Sequence, residues 1–330
     1  MSVSSETAIG VASRRSLVNV KRLVLVALVV AALIAPGFVY PLFLIKVLCF
    51  VLFASALNLV LGYAGLLSFG HAAFFGGAAY VTAHSAKVWG FPFEAALLAG
   101  VAFSTVLGLV FGTLAIRRQG IYFAMITLAL AQMIYFLAVQ MPFTGGEDGI
   151  QAVPRGTFLG IVDLRNTSAM YYVVLGFTAL GLLIIWRAVK SPFGHVLAAI
   201  RENEQRAISL GLDVDRYKLI AFTLSAALAG LAGSLKAIAF QLASLMDVTW
   251  HMSGEVILMT LLGGMGTLAG PAIGATLVIS LEHFLSTSGL PITFIIGLVF
   301  IACVMVFRRG IFGELQARLS VRKRENAGGH

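Results

Sequence analysis

Ten apolar segments dominate this chain, at about residues 23–40, 42–63, 72–89, 93–115, 120–141, 169–187, 218–239, 255–268, 271–287 and 292–307. A hydrocarbon crossing takes about 20 apolar residues. Inside it every backbone N–H and C=O must find a partner within the protein. Those two requirements leave an all-α, polytopic membrane protein of about ten transmembrane helices with short connections. Hydrophobic residues make up 59% of the 330 and charged ones 11%, against about 25% charged in a soluble domain, so an ordinary soluble enzyme is excluded. The expected organisation is a leader at 1–22, a membrane region at 23–307 with an outer loop at 142–168 and an inner loop at 188–217, and a tail at 308–330. Ala35-Pro36-Gly37 is a poor signal-peptide cleavage site, so the first helix is expected to be retained.

A net charge of +9 would suggest a nucleic-acid partner in a soluble protein. Here the positions of the basic residues account for it. With the N-terminus in the cytoplasm, 18 of the 23 Lys and Arg, among them Arg14, Arg117, Arg118, Lys190, Arg216 and Arg308, fall on the inner side, as the positive-inside rule requires. This favours an even number of crossings in a bacterial-type inner membrane, both termini cytoplasmic, with the lipid bilayer and not nucleic acid as the charged surface met. If the short segments beside the glycine clusters were re-entrant, eight crossings would remain in the same orientation. Cys49 and Cys303 lie in apolar segments and read as small core residues.

Glycine clusters interrupt two crossings, one from Gly62 to His71 and one from Gly263 to Pro271. Backbone freed from a helix at membrane depth must be buried in protein or line a wet cavity, and such breaks are the best sequence pointer to a translocation path. Ser68, Gly70, His71, Gly264, Gly266 and Thr267 are therefore the candidate path residues. Small-residue helix packing is the competing reading. It stays open for both clusters and is preferred for Gly76, Gly77, Gly230, Gly233 and Gly274. For His71 a hydrogen-bonded structural role is preferred over lining the path. Lys46, Lys87, Lys236, Glu255, Glu282 and His283 are expected within one or two turns of the outer surface, where long side chains snorkel.

No Walker A loop, HExxH or GxSxG motif and no intramembrane carboxylate pair occurs, so neither catalytic residues nor a cofactor or metal site is expected. A transporter of this kind must draw its energy from a partner. In the inner loop, Pro192 and Gly194 open and Gly211 closes a stretch with apolar residues at roughly helical spacing. Glu202 and Glu204 beside Arg201 and Arg206 argue against a lipid-bound helix, which is usually basic on its polar face. A short cytoplasmic helix over 194–211 is expected, a handle for a partner protein.

The stretches Ala56 to Phe74, Thr144 to Gly149, Ala199 to Glu204 and Gly263 to Thr267, in order over about residues 40–310, resemble the LivM-type permeases of branched-chain amino-acid ABC importers. The resemblance implies a type II importer-like permease that pairs with a second, homologous permease subunit. Two cytoplasmic ATPase subunits and an extracytoplasmic binding protein complete the assembly it implies. It puts the ATPase-coupling residues at Gly194, Arg201, Glu202, Glu204, Ala207 and Gly211, with Ala207 and Gly211 offering a small surface for close approach. The chain departs from such permeases at Gln205-Arg206, where a small or apolar pair is common. The substrates implied are leucine, isoleucine and valine, with urea, short amides or aromatic acids as the alternative. A stand-alone carrier or channel would need an ion-coupling site or selectivity ring that the sequence lacks.

Overall fold

The computed structural model describes residues 30–286 and scattered positions from 295 to 314. The leader, the start of the first apolar segment, most of the tenth with Cys303, and nearly all of the tail lie outside the described residues. The remaining segments appear as helices: α1 (Pro41–Asn58), α2 (His71–Lys87), α3 (Phe93–Ala115), α4 (Ile121–Gln140), α5 (Thr167–Val189), α6 (Pro192–Glu202), α7 (Glu204–Ser209), α8 (Val214–Phe240), α9 (Trp250–Gly263) and α10 (Gly270–Ser286). Among the described residues, five stretches are long and apolar enough to cross a membrane, namely Pro41–Tyr63, α3, α4, α5 and α8. The shorter helices α2, α9 and α10 each border a glycine cluster. With 14 residues, α9 spans about 21 Å at about 1.5 Å per residue, less than the hydrocarbon thickness of about 30 Å.

Helices α1 and α8 form the interior. In their most apolar windows 83% and 72% of residues are buried, against 28% in α4, while mean hydropathy runs 2.4, 1.6 and 1.9, so apolarity alone does not separate the core from the outward-facing shell. Small residues let the core close up. A Cβ on Gly233 of α8 would sit 1.9 Å from the Phe75 carbonyl oxygen of α2, and one on Gly230 would strike Ser104 of α3. Gly76, Gly233 and Gly274 thus hold packing positions, the role preferred from sequence. Hydroxyls stitch the same contacts, as where Thr82 Oγ1 donates to Ser234 Oγ at 2.7 Å and Ser253 Oγ accepts from the Ala72 N–H at 2.9 Å.

At one end of the bundle, the polar stretch between α4 and α5 folds into a cap. Strand β1 (Ile150–Gln151) is followed by the small hairpin of β2 (Thr157–Phe158) and β3 (Val162–Asp163), and β1 pairs antiparallel with β4 (Leu242–Ala243) beyond α8. Arg155 ties the cap to the end of α8 by donating to the Ala239 carbonyl at 2.7 Å. Burial pulls the guanidinium pKa below its usual value. At this end several charges are paired within the protein, where sequence reading expects snorkelling. Lys46 meets Glu282 at 2.8 Å, Lys236 meets Asp247, and Lys87 donates to the Gln151 carbonyl. Partners from distant segments arrive only through the fold, which is why the sequence conceals them.

Candidate functional site

At the opposite half of the molecule, three segments distant in sequence converge. Helix α1 loosens into a π turn, Leu59–Tyr63, and just beyond it Gly65, at φ +73°, leaves the helical conformation. The chain stays irregular from Ala64 to Gly70. Ser68, fully buried, accepts from the Gly70 N–H at 3.2 Å, and the Phe69 N–H finds Thr127 of α4 at 3.2 Å. His71 then opens α2. Its Nε2 lies 2.9 Å from Ser225 Oγ, which itself donates to the Ala56 carbonyl at 2.5 Å. A hydroxyl has one proton, so Ser225 must accept from His71, and the ring carries its hydrogen on Nε2. Edge-on contacts with Phe74 and Phe222 complete the surroundings of this buried ring, whose Nδ1 has no partner among the described residues. His71 binds α2 to α8 and α1.

The second break joins α9 to α10. Gly264 and Gly266 take φ values of +116° and +72°. Thr267 Oγ1 donates to the Gly264 carbonyl at 2.8 Å and accepts from the Gly270 N–H at 3.1 Å, which satisfies the first turn of α10. The tip of this hairpin docks on α1 through one side chain. Asn58, 2% exposed, donates from Nδ2 to the Thr267 carbonyl at 2.9 Å and accepts the Gly266 N–H on Oδ1 at 3.0 Å. A Cβ on Gly62 would lie 2.6 Å from the Gly266 nitrogen. The two breaks therefore touch.

The third segment is the connection between α5 and α8. Sequence reading expects one helix over 194–211; two are present, α6 and α7. Asn203 separates them at φ −158° and ψ 100°, with its side chain accepting from the Arg206 N–H at 3.0 Å. The Asx cap at this position competes with helix continuation. Of the coupling candidates, Gly194 packs against the end of α5, where a Cβ would meet the Val189 carbonyl at 2.1 Å. Arg201 donates to the Gly62 carbonyl of the first break. Glu204 pairs at 2.7 Å with Lys218, whose side chain is 2% exposed.

Ala207, expected to offer a small outward surface, is instead buried in a cluster with Ile200 and Val214, because the turn of α7 points it at the start of α8. Glu202 and Gly211, at φ +80°, remain on the outside, together with two apolar residues that sequence reading passed over, Ile208 and Leu210, 50% and 74% exposed. Asn58, Lys218 and Asn203 were likewise missed. A lone amide inside the apolar run of α1 is the signal that could have revealed Asn58.

An all-α, multi-pass bundle with two helix breaks pressed together inside it defines a membrane-embedded permease type of domain, built around irregular backbone that the protein itself must satisfy. The chain belongs to the family described as branched-chain amino acid transport system / permease component, which matches residues 40–308. It is 32% identical over 254 residues to the high-affinity branched-chain amino acid transport system permease protein LivM of Salmonella typhimurium and 30% identical over 253 residues to that of Escherichia coli, covering 70% of this chain in each case. The chain spans about 60% of the length of these curated relatives. The autoinducer 2 import system permease protein LsrC of Salmonella typhi is 29% identical over 213 residues, 60% of this chain and 58% of that protein. No solved structure gives a significant match. The chain is a multi-pass inner-membrane protein.

Proposed function

We propose that this chain is the permease subunit of an ATP-driven importer, forming half of a translocation path for branched-chain amino acids delivered by an extracytoplasmic binding protein. The observation that carries the reading is the convergence at Asn58, Gly62 and Gly266 of both breaks with Arg201 of the α6–α7 connection. Ser68, Gly70, His71, Gly264, Gly266 and Thr267 stand at or beside the path. His71 acts there as a fastener, and Gly266 and Thr267 are only half-buried. The α6–α7 connection lies in the cytoplasm with both termini, as the basic-residue distribution supports, and the strand-bearing cap faces the binding protein. A second homologous permease completes the path, and two ATPase subunits hydrolyse the nucleotide. Their contact falls on the exposed Ile208, Leu210, Glu202 and Gly211. The relatives' branched-chain amino-acid systems support the substrate class.

The test is reconstitution of the chain in vesicles with its ATPase, second permease and binding-protein subunits. Accumulation of leucine that requires ATP is expected, and Leu210→Asp and Ile208→Asp should abolish it while the permease remains folded. Accumulation without ATP, or full activity of both variants, would overturn the reading.

A further inference from the structure

We infer that Arg201 is a positioning residue: a latch that carries movement of the cytoplasmic helix pair directly into both membrane breaks. The inference rests on the transport reading above and adds a side chain whose guanidinium reaches the first break although the residue itself stays exposed. Arg201 occupies the last turn of α6. Its guanidinium donates to the Gly62 carbonyl, a group released where α1 gives way to the π turn. Its stem crosses the first break so closely that a Cβ on Gly65 would lie 3.0 Å from Arg201 Cγ. Its Nη1 would lie 3.0 Å from a Cβ on Gly266 in the second break. Glycine at 65 and 266 thus leaves the space through which one side chain reaches both breaks.

The rest of the connection shows which parts move together. Helix α6 is attached to α5 by the close approach of Gly194 and to the breaks by Arg201. Helix α7 is attached to α8 by Glu204–Lys218, and Ile200 of α6 packs with Ala207 of α7 and Val214 of α8 in one cluster, so the helix pair is held together. Asn203, in extended conformation, is the joint between them. Displacing the helix pair withdraws the guanidinium from Gly62 and frees a backbone carbonyl at the meeting point of the two breaks. A carbonyl so freed takes a new partner or a new conformation, because Gly62 is buried and an unpaired buried carbonyl is costly. A planar five-donor fork on a long stem suits this role, and a Lys ammonium replaces it poorly.

R201K and R201Q permeases, each assembled with its ATPase, second permease and binding-protein subunits in vesicles, test the latch when ATP hydrolysed and leucine accumulated are read from the same sample. Thermal unfolding of each permease is read alongside. The latch requires leucine accumulated per ATP to fall about tenfold in R201Q, the factor that about 1.4 kcal/mol commands, with a smaller fall in R201K and ATP hydrolysis kept within about twofold. If R201Q unfolds, R201K carries the same reading. Wild-type leucine per ATP in the folded variants overturns the latch. A proportional loss of both rates, or loss of folded protein in both variants, does so too, since either marks a merely structural role. Wild-type vesicles that accumulate nothing on ATP sink the transport reading itself, an outcome separate from these.

Discussion

Replacing Asn58 by leucine removes the side chain that hydrogen-bonds the tip of the second break to α1. Two bonds are lost, Nδ2 to the Thr267 carbonyl at 2.9 Å and the Gly266 N–H to Oδ1 at 3.0 Å. Leaving a buried polar group unpaired costs about 1–3 kcal/mol, while hydrogen bonds between helices in membranes average about 0.6 kcal/mol when measured by double-mutant cycles. Burial decides between these limits. Asn58 is 2% exposed, but Met265 beside Gly266 is 43% exposed, so water can reach part of the hairpin tip and the full penalty does not apply. A leucine methyl in place of Oδ1, 3.0 Å from the Gly266 nitrogen, adds a steric push. Together these give a loss of about 2–3 kcal/mol, or about 4–12 °C in unfolding temperature at about 2–4 °C per kcal/mol. The free, buried Cys49 supplies the assay: in a Cys303→Ser background, a thiol-reactive dye should label it only as the purified chain unfolds. An Asn58→Leu midpoint within about 1 °C of wild type would refute the claim that this amide holds the breaks together.

Opposite outcomes are expected for two glycines. Gly233→Ala places a methyl 1.9 Å from the Phe75 carbonyl and should cost about 1–3 kcal/mol by overpacking. Gly176→Ala, with nothing within 4 Å of the new Cβ, should be neutral or stabilise by up to about 1 kcal/mol through helix propensity; the same thermal assay reads both. Lys218→Met strands Glu204, whose side chain is 21% exposed, so a cost of about 1–2 kcal/mol is expected, below the value of about 3–5 for a fully buried pair. Adding Glu204→Gln should recover most of it in a double-mutant cycle. The purified chain, freed of partner subunits, should hydrolyse no ATP, because no phosphate-cradling loop is present; turnover that persists after their removal would contradict the assignment.

Sequence alone determined the helical segments between 41 and 286, and the two places where helix cannot continue. Those are local properties: run length measured against bilayer thickness, and glycine freed from its Cβ. The tertiary structure decided which helices are central, since α8 is less apolar than α4 yet 72% buried against 28%. It also decided that Ala207 and Glu204 face inward, that one helix becomes two at Asn203, and that Lys236 finds Asp247. The junction of the breaks depends on partners 208 and 139 residues apart, Asn58 with Gly266 and Gly62 with Arg201. A carbonyl or amide carries no mark in the sequence of the group that will satisfy it. In the bilayer it must nonetheless be satisfied from within, and only the packing of the whole chain brings that group into place.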